Sequence, residues 1–169
     1  MKDKTDISEH IEKCRERLTR LCLSLCGDHH DAADLFQDTC LRAFKYYKTY
    51  DKNKEFDKWI FSICVNTYRS GLKKFYRMKK VDFASAEEHD DFLTGIPDTD
   101  STASHEEYKE LIKAVKKLPE KFHIVIVLRF FSDLTEKDMA KMLGIPEGTV
   151  KSRLNKAKML LRKEMESDG

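Results

Sequence analysis

The sequence predicts an all-α protein of two small helical domains joined by a flexible acidic linker, and three observations carry that prediction. Apolar residues recur at steps of three and four along most of the 169-residue chain, the spacing of one helical face. No run of Val, Ile and Thr alternates with polar residues over a strand's length, and no Asn-Gly or Asp-Gly pair stands between two such runs, so a sheet has little support. Charge then divides the chain in three. Residues 1–80 carry 18 basic and 12 acidic side chains (+6), residues 81–108 none and nine (−9), and residues 109–169 carry 14 and nine (+5). Two basic modules on an acidic tether, Val81 to Tyr108, fit that pattern.

The first helix is expected from about Ile7 to Cys26, where Ile7, Ile11, Cys14, Leu18, Leu21 or Cys22, and Leu25 share a face and Gly27 supplies a stop. The second is expected from about Asp31 to Tyr47, capped by Asp31, with Ala32, Phe36, Cys40, Ala43 and Tyr47 inward. A third, about Phe56 to Arg77, buries Phe56, Trp59, Ile60, Ile63, Cys64 and Thr67. These three can close one bundle. Beyond the acidic stretch, a helix from about Glu106 ends at Leu118, before Pro119. The next, Pro119 to Phe131, is apolar over most of its circumference and is expected to be central to its module. Thr135 three residues before Asp138 resembles a capping box for a short helix, Glu136 to Leu143, with Met139, Ala140 and Leu143 on one side and Gly144 as its stop. Pro146 opens a last helix built on Val150, Leu154, Ala157, Leu161 and Met165.

The longest unbroken aliphatic run is Ile124 to Leu128, far short of the roughly 20 residues of a membrane span. With a polar N-terminus this gives the expectation of a soluble, cytoplasmic protein. The five cysteines (Cys14, Cys22, Cys26, Cys40 and Cys64) lie inside helical patterns and are odd in number, and are expected to be reduced thiols.

A short helix, a Gly-containing turn and a longer basic helix follow the order of a helix-turn-helix, whose second helix enters the major groove. From Glu147 to Lys163 six basic residues (Lys151, Arg153, Lys156, Lys158, Arg162, Lys163) stand against Glu147 alone, a face suited to phosphate. Its first turns offer Glu147, Thr149, Lys151, Ser152 and Asn155 to base edges. Periodicity and charge alone also describe a merely solvated amphipathic helix.

The stretches Leu118-Pro119-Glu120-Lys121 to Leu128-Arg129, Leu134 to Ala140, and Leu143-Gly144-Ile145-Pro146-Glu147-Gly148-Thr149-Val150-Lys151-Ser152-Arg153-Leu154 resemble region 4 of the extracytoplasmic-function sigma factors of bacterial RNA polymerase. Gly27-Asp28, Asp31 to Thr39, Phe56-Asp57-Lys58-Trp59-Ile60 and Ile63 to Asn66 resemble region 2 of the same family. The resemblance covers most of the chain, in the family's order. It implies an alternative sigma factor with residues 1–80 as region 2, 81–108 as linker and 109–169 as region 4, which binds core polymerase, recognises two promoter elements and assists melting.

The resemblance also assigns residues. Asp34, Gln37 and Asp38, bordered by Leu41 and Arg42, would dock on the clamp helices of the polymerase's largest subunit, and region 4 would meet the flap. Periodicity says only that these polar residues are exposed. Asn66, Ser70, Lys73 and Arg77 form a polar and basic stripe that would follow the minus-ten strand, with one base held flipped out. The loop Tyr50 to Glu55 matches the family's base-capturing loop, where Tyr50 and Asn53 either meet the splayed base or shape the turn. Trp59, at the stripe's upper end, reads as a core residue. Glu147, Thr149, Lys151, Ser152, Arg153, Asn155 and Lys156 would read the minus-thirty-five element. Three residues depart from the family's habit: Cys40 where Phe is common, Ser70 where an acidic residue is frequent, and Met139 where Ile is usual. Asn155 occupies a variable position, so the promoter sequence does not carry over. An anti-sigma factor, often membrane-bound, is a further implied partner. No cofactor, metal or small-molecule substrate is expected, and no phosphate-binding Gly-rich loop, His-Glu-x-x-His or Gly-x-Ser-x-Gly is present.

Two other readings compete. A free-standing helix-turn-helix regulator would explain the last helices but leave the first module without a role. A metal or redox sensor would use Cys22, Cys26, His29 and His30, although both cysteines fall on the buried stripe.

Overall fold

The computed structural model describes residues 2–78 and 105–167. Every regular element among them is helical: α1 (Lys2–Cys26), α2 (His29–Tyr46) with a 3-10 turn (Tyr47–Thr49), α3 (Phe56–Met78), α4 (His105–Lys117), α5 (Glu120–Ile126), α6 (Glu136–Leu143) and α7 (Glu147–Ser167). A π-helical turn, Val127–Phe131, prolongs α5. Most of the expected linker, up to residue 104, lies outside the described residues.

The predicted stripe of α1 is the core of the first bundle. Ile7, Ile11, Cys14, Leu18, Leu21, Cys22 and Leu25 are all buried, and removing a Leu side chain from water contributes about 1.5–3 kcal/mol. Gly27 ends the helix in the left-handed region, φ 68°, with its amide on the Leu23 carbonyl, a conformation that costs an L side chain about 1–2 kcal/mol. Asp28 then caps α2 by accepting from the His30 amide at 3.0 Å. The predicted cap, Asp31, lies one turn later. One residue therefore ends the first helix and the next begins the second, a joint shorter than the sequence spacing suggested.

Two buried arcs are wider than a single stripe. On α2, Ala32 and Ala43 are buried as expected, but Leu35 and Thr39 are buried where Phe36 and Cys40 were expected and are only half-buried. Thr39 lies inside because its hydroxyl donates to the Leu35 carbonyl at 2.7 Å. On α3, Phe56, Ile60, Cys64 and Thr67 are buried, while Phe61 and Val65 join them and Trp59 and Ile63 are half-buried. Both helices have a neighbour on more than one side, since α2 packs against α1 and α3.

In the second half, Pro119 stands just before α5 as its N-cap, not inside its first turn. Ile124 to Leu128 are all buried, as a central helix requires. Thr135 caps α6, accepting from the Asp138 amide at 3.1 Å and donating to the Asp138 carboxylate at 2.8 Å. Gly144 closes α6 with φ 68°. Along α7, Val150, Leu154 and Ala157 are buried, but Leu161 is half-buried and Met165 exposed, so the last two turns leave the core.

The two halves pack against each other. α1 meets the π turn and α3 meets α6, and one cluster of buried apolar residues runs from Ile7 to Ala157. Lys58 on α3 pairs with Asp138 on α6 at 3.2 Å, and the Arg69 guanidinium donates to the Leu143 carbonyl at 3.3 Å. Burial alone would raise the Asp138 carboxyl, but the Thr135 hydroxyl and the Lys58 ammonium outweigh it and hold it below the usual carboxylate range. Thr135→Ala is expected to lower stability to urea by about 1 kcal/mol. Thr135→Ser should retain most of it, and equal losses in the two variants would show that the hydroxyl is not the source.

Candidate functional site

Three exposed faces contain the residues singled out by sequence. The first is the outer side of α2. With Ala32, Leu35, Thr39 and Ala43 inward, a pitch of 3.6 residues places Asp34, Gln37, Asp38 and Leu41 opposite them, and all four are exposed, as is Arg42. Leu41 is 61% exposed and Phe44, on the flank of the same face, 43%. Sequence reasoning did not select Phe44, because an aromatic in an amphipathic helix reads as core. Carboxylates and an amide around exposed apolar side chains suit a protein partner with basic and apolar groups.

The second face belongs to α3. Asn66 and Ser70 are exposed and share a face by register with Lys73 and Arg77, whose side chains lie outside the described residues. In the preceding loop, Tyr50 is half-buried in an aromatic cluster, its ring 5.1 Å from Trp59, 5.5 Å from Phe56 and 5.9 Å from Tyr47. Its hydroxyl donates to the Lys54 carbonyl. Asn53 is exposed, and its amide closes an Asx turn on the Asp51 carboxylate at 3.0 Å. Tyr50 thus anchors the loop from beneath, and Asn53 is displayed at its surface. Trp59 is packed among Tyr47, Tyr50 and Phe56.

The third face is the N-terminal half of α7. Opposite Val150, Leu154 and Ala157 stand Ser152, Asn155 and Lys156, with Lys151 to one side and Glu147 in the first turn, all exposed. Thr149 and Arg153 are half-buried at the edge of the core. Lys151 approaches Glu136 only to 3.9 Å, a surface pair of little energy that a phosphate can displace. Elsewhere on this half, Phe130 is 59% exposed, with the Lys158 ammonium 5.6 Å from its ring centre.

The cysteine–histidine cluster is not assembled as a metal site. Cys22 is buried against Cys64, their sulfurs 3.7 Å apart, and His29 and His30 are exposed in the first turn of α2. Among the described residues no group of three His, Cys, Asp or Glu side chains converges on one point. The Cys64 contact and burial push the Cys22 thiol up, and burial pushes Cys14 up to about 12, so neither carries appreciable thiolate at neutral pH. Among the described residues no helix is long and apolar enough to cross a membrane.

These features coincide with known families. Residues 10–77 match Sigma-70 region 2, and residues 108–161 match Sigma-70, region 4. The chain therefore belongs to the sigma-70 family of bacterial transcription initiation factors. Its relatives place it among the extracytoplasmic-function members. It is 27% identical over 173 residues to the ECF RNA polymerase sigma factor SigW of Bacillus subtilis, covering 96% of this chain and 90% of that one. It is 29% identical over 152 residues to the ECF RNA polymerase sigma factor EcfG of Rhodopseudomonas palustris, covering 90% and 81%. The fold is shared with the sigma factor RpoE of Bartonella quintana, solved in complex with the anti-sigma factor NepR, at a TM-score of 0.78 and 24% identity over 97% of this chain and 99% of that one. It is shared also with CnrH, solved with the cytosolic domain of CnrY, at 0.67 and 17% identity over 98% and 91%.

Proposed function

We propose that this sigma factor divides its work among the three faces. The outer side of α2 (Asp34, Gln37, Asp38, Leu41, Arg42 and, added to them, Phe44) docks on the clamp helices of core RNA polymerase. Asn53, Asn66, Ser70, Lys73 and Arg77 follow the minus-ten strand while Tyr50 supports the loop that holds a flipped base. Glu147, Thr149, Lys151, Ser152, Arg153, Asn155 and Lys156 engage the minus-thirty-five duplex, with Arg153 and Thr149 approaching from the rim. Residues 1–80 and 109–169 act as the two working modules, with 81–108 as the tether and the flap as the second polymerase contact. The protein works in the cytoplasm by binding energy without making or breaking bonds, and an anti-sigma factor, membrane-held or free, is its natural inhibitor.

The observation that carries this reading is the α2 face, where two carboxylates and an amide surround Leu41 at 61% exposure. A surface that wet and that apolar at once is suited to a partner helix with basic and aliphatic side chains. The test is competition with a housekeeping sigma factor for purified core polymerase. The native chain should displace the competitor, and Asp34→Lys with Asp38→Lys should weaken its binding by at least 100-fold, since each reversal places like charges at a close contact. Undiminished binding by the double variant would remove polymerase docking from this face. Failure of the native chain to displace the competitor at all would favour a polymerase-independent regulator.

A further inference from the structure

The loop from Tyr50 to Glu55 is gripped at both of its ends by one side of α1. The chain enters it through the 3-10 turn, Tyr47–Thr49, and leaves it at Phe56, the first residue of α3. Asp6 and His10, one helical turn apart on α1, reach one end each. The Tyr47 hydroxyl donates to the Asp6 carboxylate at 2.9 Å, and the Tyr47 ring stacks on Tyr50, centres 5.9 Å apart and planes 23° from parallel. The His10 ring stacks on Phe56, centres 4.9 Å apart and planes 21° from parallel, and meets the edge of Tyr50 at 6.5 Å.

The bonds inside the loop cannot do the same work. The Asn53 amide meets the Asp51 carboxylate, the Lys54 amide meets the Asp51 carbonyl, and the Tyr50 hydroxyl meets the Lys54 carbonyl. All three close within five residues, so they shape the loop without fixing where it stands on the bundle. Nor are Asp6 and His10 needed to fill the core. The buried stripe of α1 passes through Ile7, Ile11 and Cys14, while Asp6 and His10 are half-buried beside it. Stacking sets the plane of a ring, and a hydrogen bond to a carboxylate is among the stronger single contacts. Together they tie the loop's entry and exit to a helix whose core face is itself packed.

We propose that Asp6 and His10 are positioning residues for base capture: from α1 they fix both ends of the loop, so that Asn53 is displayed to the strand in a preformed place. The role rests on that loop being the one that holds the flipped base. Neither residue has to touch the strand, since they act through Tyr47, Tyr50 and Phe56. Unstacking a base already costs free energy, and a loop ordered beforehand adds no ordering cost to it.

The test has two arms. Trp59, the chain's single tryptophan, lies 5.1 Å from Tyr50 and 5.5 Å from Phe56, so its fluorescence in the full chain reports the loop's support without polymerase or DNA. His10→Ala and Asp6→Ala should each shift its emission to longer wavelength and increase its quenching by acrylamide. His10→Phe keeps the stacked ring and Asp6→Asn keeps an acceptor for the Tyr47 hydroxyl, so both should behave as the native chain. Tyr47→Phe removes the same hydrogen bond from its other side and should match Asp6→Ala. Unchanged emission and quenching in the alanine variants would overturn the brace whatever the loop binds. The second arm uses the chain bound to core polymerase and a minus-ten strand selected from a random pool, intact or with an abasic site at each position in turn. The native chain should lose about tenfold in affinity at one position, the scale of one stacked base. The alanine variants should bind the intact strand and that abasic strand nearly alike, and the conservative variants should restore the difference. A merely structural role would weaken both strands equally and preserve the ratio, and that result would overturn the positioning role alone. A native chain with no sensitive position would instead overturn the base-holding loop, and the role with it, while leaving the Trp59 response intact.

Discussion

Phe61→Ala is expected to destabilise the protein by about 3–5 kcal/mol, the usual cost of a large aromatic deleted from a rigid core. Natural domains hold only about 5–15 kcal/mol in total, so the variant should be partly unfolded at ordinary growth temperatures. Phe61 is 1% exposed, in the second turn of α3. The Arg17 guanidinium from α1 lies 5.5 Å from its ring centre and is itself paired with Asp57. Deleting the ring therefore opens a cavity and strands the lid that covers it. Phe61→Leu keeps most of the volume and should cost less than about 1.5 kcal/mol. Urea denaturation should show a lower midpoint with an unchanged slope for both. A loss below 1 kcal/mol for the alanine variant would mean that α1 and α3 can close over the gap, which the description of a tightly filled bundle does not allow.

Phe61 also shows where a sequence stops being informative. The existence and order of the helices were legible because each carries apolar residues at helical spacing, and because Gly27, Pro119, Thr135 and Gly144 mark ends by backbone chemistry. What was not legible is how many neighbours a helix has. A single apolar stripe along α3 does not contain Phe61 or Val65, yet both are buried. α3 is covered from more than one side, so its buried arc is broader than a stripe. The same excess of neighbours moved the buried positions of α2 from Phe36 and Cys40 to Leu35 and Thr39. Asp28 and Asp31 are both good caps three residues apart, and only the tightness of the Gly27 joint chooses between them.

The candidate faces were legible to different degrees. Polar residues opposite an apolar stripe must be exposed, so Asp34, Gln37, Asp38, Ser152, Asn155 and Lys156 could be placed outward by counting. Phe44 could not, since exposure of an aromatic runs against its average behaviour. Thr149 and Arg153 sit beside the stripe, where counting does not separate rim from surface. The seam between the halves left a single trace, a His inside the apolar run from Phe122 to Leu128. Its partners are carbonyls, one of them 98 residues away, and backbone oxygens have no signature in a sequence.

Replacing Lys151 and Lys156 together by alanine is expected to weaken binding of the polymerase-bound protein to minus-thirty-five duplex by at least about 100-fold. Each ammonium facing a phosphate contributes roughly 1.5–3 kcal/mol in a charge-assisted hydrogen bond. Both side chains are exposed on the outer side of α7, and Lys151 gives up only a distant contact with Glu136. The diagnostic is the salt dependence. Each lost phosphate contact should reduce the slope of log affinity against log salt by about 0.9, so the double variant should lose nearly two units of slope without a change in preferred sequence. Ser152→Ala and Asn155→Ala should behave in the opposite way, keeping the slope while relaxing discrimination among duplexes selected from a random pool. If the lysine variant instead changes the selected sequence at constant slope, Lys151 and Lys156 contact bases, and the helix lies deeper in the groove than a phosphate-anchored geometry allows.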